Sequence, residues 1–130
     1  MSYKAWKNDD FTPERLEELI GKQPLTEEGI TQLLGYTEFI VHLLVDTSGK
    51  AMIYPIAPSK YGIHINANQT RDEQEKGLVH EIAHAYYQCG NRWGDFEITK
   101  KMDDLIEAEI QKFYGEHREF VRKLFESLCS

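Results

Sequence analysis

The chain has 130 residues, about the size of one globular domain, and an ordinary balance of apolar and charged side chains. Its formal net charge of -7 argues against general nucleic-acid binding, which needs Lys and Arg to neutralise phosphates. No apolar run approaches the roughly 20 residues that a membrane span requires.

The amino-terminal Met1 to Asp10 lacks the apolar stretch and small-residue cleavage site of a secretory signal, so the expectation is a cytoplasmic chain. Cys89 and Cys129 are far apart with no C-x-x-C partner, and in a reducing compartment both are expected as free thiols.

Thr12-Pro13-Glu14 starts a helix, with Thr12 as N-cap and proline at its first position. Leu16, Leu19 and Ile20 supply its apolar face, and Gly21 offers a stop. A second short helix follows Thr26, carries Ile30, Leu33 and Leu34, and stops at Gly35. From Phe39 to Val45 the chain is apolar and β-branched, which predicts a strand. Asp46-Thr47-Ser48-Gly49 is turn chemistry, and Ala51 to Ile56 is expected as the antiparallel mate of that strand. Pro55 assigns the end of the second strand to an edge or a bulge.

Tyr61 to Ala67 alternates enough for a third short strand, with an exposed edge to which a substrate strand could add. Thr70-Arg71-Asp72-Glu73 is a capping box, and the helix it opens is expected to reach Cys89, where Gly90 ends it. A loop around Asn91 to Gly94, containing Trp93, leads to helices over Glu97 to Tyr114 and Glu116 to Leu128. The whole chain, residues 1–130, then forms one α+β domain: a small three-stranded, mainly antiparallel sheet packed on helices.

Within the central helix stands His80-Glu81-Ile82-Ala83-His84. Two histidines four residues apart lie on one helical face, one turn above the other, where a single tetrahedral zinc can accept both. A glutamate directly after the first histidine sits near the metal without ligating it, and there it can accept and return a proton. His80, Glu81 and His84 meet this H-E-x-x-H pattern. The alternative is a pair of histidines that only packs or solvates a helix.

A catalytic zinc also needs a third protein ligand and an open position. The next helix offers Asp103, Asp104, Glu107 and Glu109. Its apolar stripe includes Met102, Leu105, Ile106 and Phe113. Glu109 lies three or four residues from Ile106 and Phe113, on the buried side, and helical spacing therefore selects it; Glu107 is expected to point roughly opposite. His42 is expected as a packed or edge histidine, His64 near the cleft, and His117 in a solvated position. Tyr86 and Tyr87 are expected mainly as packing residues.

From about Phe39 to Phe113 the chain resembles the ImmA/IrrE family of bacterial and phage metallopeptidases. The residues that carry the resemblance are the three short strands, Ile63-His64-Ile65-Asn66-Ala67-Asn68 leading into a helix, and Leu78-Val79-His80-Glu81-Ile82-Ala83-His84. Glu107-Ala108-Glu109 and Phe113 extend it. The resemblance implies one zinc ion held by His80, His84 and Glu109, with Glu81 as general base. It also implies a protein or peptide substrate, with transcriptional repressors the class such peptidases often cleave.

Two alternatives stay open beside this zinc-dependent endopeptidase. One is a non-catalytic interaction module of the same fold, zinc-bound or metal-free, acting as a regulatory partner. The other is an amidase using the same metal chemistry on a non-protein substrate. Two histidines and a carboxylate also suit other first-row metals, with zinc the default for this helix motif.

Overall fold

The computed structural model describes residues 12–45, 51–88 and 96–129, with the backbone alone for 96–99. The expected turn at Asp46 to Gly49, Cys89, the Gly90 stop and the loop around Asn91 to Gly94 lie outside the described residues. So does the amino-terminal segment through Phe11.

Two short helices, α1 (Pro13–Lys22) and α2 (Glu27–Leu34), open the described chain. Their threonine caps form as expected: Thr12 accepts from the Arg15 amide at 3.1 Å and Thr26 from the Gly29 amide at 2.9 Å. α1 passes through Gly21, which is tolerated in a helix at some cost, and ends at the Gln23 cap just before Pro24. α2 stops at Gly35, as expected.

Strands β1 (Glu38–Leu44), β2 (Ala51–Ala57) and β3 (Lys60–Asn66) follow. The sheet has the order β1-β3-β2. β3 pairs parallel with β1, His64 opposite His42, and antiparallel with β2, Ile63 opposite Ile53. The expected antiparallel pairing of β1 with β2 is therefore corrected, and the sheet is mixed. The tight hairpin links β2 to β3 instead, through Pro58 and Ser59, with Ser59 in the left-handed conformation (φ 61°).

Burial explains why β3 takes the centre. Ile63 and Ile65 are fully buried, while β1 and β2 are more exposed. Paired on both sides, β3 has no edge to offer a substrate strand, which corrects that expectation too. Pro55 does sit on an edge strand, beside a register shift between Pro55 and Ala57.

One face of the sheet packs against the helices; the pleat sends Tyr54 and His64 to the other face, away from the side on which Ile63 and Ile65 are buried. Tyr54 lies over Gly62, where any Cβ would run into the ring, and its hydroxyl is 2.9 Å from His64 Nε2. His64 thus belongs to the outer sheet face.

α3 (Arg71–Tyr86) packs on β2 and β3 and carries the H-E-x-x-H segment. Its capping box is complete: Thr70 accepts from the Glu73 amide, and Glu73 accepts from the Thr70 amide. The helix ends at Tyr86, short of the expected Cys89, because the chain turns into the left-handed conformation at Gln88 (φ 59°).

α4 (Phe96–Glu116) and α5 (Arg118–Cys129) complete the helical layer. Leu78, Val79 and Ile82 of α3 share a core with Ile106 and Ile110 of α4 and with Val121 and Phe125 of α5. Inside this layer the buried Glu75 carboxylate accepts from Arg71 Nε at 2.9 Å and from the Tyr114 hydroxyl at 3.1 Å. The Arg71 guanidinium also stacks 4.3 Å from the Phe125 ring centroid, so one buried charge ties three helices together. Cys129 is a free thiol whose pKa burial pushes up to about 11. No helix among the described residues is long and apolar enough to cross a membrane.

Candidate metal centre

The apolar side chains of α3 hold it against the sheet and α4, and this orients the histidine face. His84 is fully enclosed and His80 nearly so. Their Nε2 atoms stand 3.2 Å apart, as the one-turn spacing requires.

The third donor comes from α4. Asp103 Oδ1 lies 2.7 Å from His80 Nε2 and 3.2 Å from His84 Nε2. His80, His84 and Asp103 form a group whose candidate ligand atoms all fall within 4.8 Å of one another.

These residues fit a zinc ion. Two ligands held about 2.0–2.1 Å from a tetrahedral zinc are separated by about 3.3 Å. Two of the observed separations are 3.2 Å, and the third, at 2.7 Å, is a charge-assisted hydrogen bond between the ligands themselves. Two imidazoles and one carboxylate leave a fourth position for substrate or water. The Asp103 side chain is 44% exposed, so solvent reaches the group from the α4 side while the histidines stay buried.

Glu109 is placed elsewhere. Its Oε2 accepts from the Leu25 amide at 2.9 Å and so anchors the α1–α2 connection to α4. Glu109, expected as the third ligand, is therefore not brought together with His80 and His84; Asp103 stands beside them instead. The physical reason lies in the helical wheel, at about 100° per residue. The buried stripe of α4 runs through Met102, Ile106, Ile110 and Phe113, and acidic residues border it on both flanks. Glu109 borders the flank facing Leu25, whereas Asp103 and Glu107 border the flank facing α3.

Glu107 was expected to point away; its Oε1 instead lies 2.9 Å from His80 Nδ1. The signal that could have identified both residues is their own i, i+4 spacing, which matches that of His80 and His84.

The electrostatics follow from burial and these contacts. Burial pushes the His80 pKa down, but hydrogen bonds to Asp103 and Glu107 outweigh it and raise it to about 9. Burial opposes ionisation of Asp103 too, yet its two histidine partners hold it well below the usual carboxylate range. Glu81 is buried beside the group; loss of hydration raises its pKa against the pull of His84 and His80. A carboxyl so placed accepts a proton more readily than one in water.

The remaining candidates are accounted for elsewhere. His117 Nδ1 is 2.7 Å from Glu27 Oε2, at the start of α2. The Tyr87 hydroxyl donates to the Gln23 carbonyl at 3.0 Å, and Tyr86 lies against Gly29. His42 is an exposed edge residue on β1. No family model, curated protein or solved structure matches the chain.

Proposed function

We propose that this protein is a zinc-dependent endopeptidase of the ImmA/IrrE kind, with His80, His84 and Asp103 as the metal-holding residues and Glu81 as general base. The observation that carries this assignment is the convergence of the three donor atoms beside a buried glutamate. When bound, zinc supplies Lewis acidity, polarising a peptide carbonyl and making water more acidic.

The chain's own residues do the rest. Glu81, kept easy to protonate by burial, takes the proton from the attacking water and delivers it to the leaving amine. Asp103, on the open flank, leaves the group reachable by substrate. The outer edge of β2 is the docking position for an extended peptide, because among the described residues no strand pairs with it. β2 also neighbours the metal helix: Ala51 Cβ lies 3.4 Å from the position of a Cβ at Gly77, one turn before His80. A cytoplasmic protein substrate such as a transcriptional repressor fits this assignment.

The test is metal content by plasma mass spectrometry on untagged protein, followed by cleavage of a peptide library with the wild type and Glu81→Gln. Near-stoichiometric zinc in both, with cleavage in the wild type alone, is the expected result. Absence of metal after zinc is supplied would sink the assignment. Zinc with no cleavage by either protein would favour a binding module instead.

A further inference from the structure

His80 uses both of its ring nitrogens. Nε2 faces Asp103 and His84, while Nδ1 faces Glu107 Oε1 at 2.9 Å from the opposite side of the ring. The other Glu107 oxygen, Oε2, accepts from Gln111 Nε2 at 2.6 Å, one turn further along α4. An imidazole that donates from Nδ1 presents its lone pair at Nε2, and only that tautomer can hold a metal next to His84 and Asp103.

From this geometry we infer that Glu107 is a positioning residue for the metal centre: it fixes the His80 tautomer and ring orientation, and Gln111 steadies its carboxylate. This role rests on the metal-site assignment above. Glu107 cannot itself reach an ion at Nε2 while keeping its bond to Nδ1, because the two nitrogens open on different sides of the ring. Asp103 and Glu107, one turn apart on α4, therefore divide the work: one carboxylate faces the ion and the other holds the histidine that faces it.

The test compares wild type, Glu107→Ala and Glu107→Gln by zinc competition against a chelator. Histidine ring nitrogens are then read by nitrogen-15 NMR on the zinc-loaded proteins. The Glu107 side chain is 40% exposed and glutamine keeps its shape, so folding of at least the second variant is secure; circular dichroism checks both. The expected result is an Nδ1-protonated His80 in the wild type and an affinity loss of about 10- to 100-fold in Glu107→Ala, with faster exchange of the Nδ1 proton. Glu107→Gln, which keeps an oxygen acceptor, recovers part of both. A purely structural role for Glu107 would leave the exchange of the Nδ1 proton unchanged. Wild-type zinc binding with unaltered affinity and Nδ1-proton exchange in both variants would overturn the role alone. Failure of the wild type to bind zinc would overturn the metal centre and the role together.

Discussion

Asp103 Oδ1 lies 2.7 Å from His80 Nε2, although the two residues are 23 positions apart and on different helices. This contact brings Asp103, among the acidic residues of α4, into one group with the histidine pair. It also reverses the outcomes that the sequence reading expects of two variants.

Asp103→Ala should lower zinc affinity by about 100-fold or more, since it removes one of three donors. Glu109→Ala should retain zinc and instead lower stability by about 1–2 kcal/mol, because the Leu25 amide loses its acceptor. Metal titration and urea unfolding on the two variants check this. Loss of zinc in Glu109→Ala with retention in Asp103→Ala would reverse the assignment.

The metal-free protein should lose stability as pH rises. The His80 pKa is raised from 6.5 to about 9, so its stabilisation is complete below about 6.5 and disappears as pH passes through about 9. Glu81, also raised, acts in the same direction from lower pH. The His80 contribution is at most about 3 kcal/mol. Saturating zinc should remove the alkaline decline, because coordination requires the neutral imidazole. Urea midpoints between pH 6 and 9.5, with and without zinc, measure both effects; a flat metal-free profile would contradict the ion-pair geometry.

Glu75→Ala should destabilise the fold by about 1–3 kcal/mol, leaving the buried Tyr114 hydroxyl without its acceptor while the half-exposed Arg71 guanidinium turns to water. Glu75→Gln keeps an oxygen for one of them and should cost less. Zinc stoichiometry in Glu75→Gln should match the wild type, since Glu75 is not among the donor residues. Thermal unfolding with metal analysis distinguishes the two effects.

Gly62→Ala should cost about 1–3 kcal/mol, because the new Cβ would meet the Tyr54 ring. The double variant with Tyr54→Ala should remove most of that penalty, since the obstruction is the ring itself. Equal penalties in the single and double variants would show that the glycine serves some other purpose.

Local chemistry by itself determined much of this protein's secondary structure. The threonine caps at Thr12, Thr26 and Thr70 and the apolar periodicities are interactions within one or two helical turns or along single strands. They placed the helices and strands in order, and the same helical period put His80 and His84 on one face. Tertiary structure decided what lies opposite those elements. β3 entered between β1 and β2 because Ile63 and Ile65 bury best at the centre, a competition among strands that no single segment expresses. α4 carries acidic residues on both flanks of its buried stripe, and its rotation against α3 and Leu25 decides which flank meets the histidines, Asp103 and Glu107 on one side and Glu109 on the other. A helix's period shows which residues share a face, whereas the partner each face meets depends on packing against the rest of the chain.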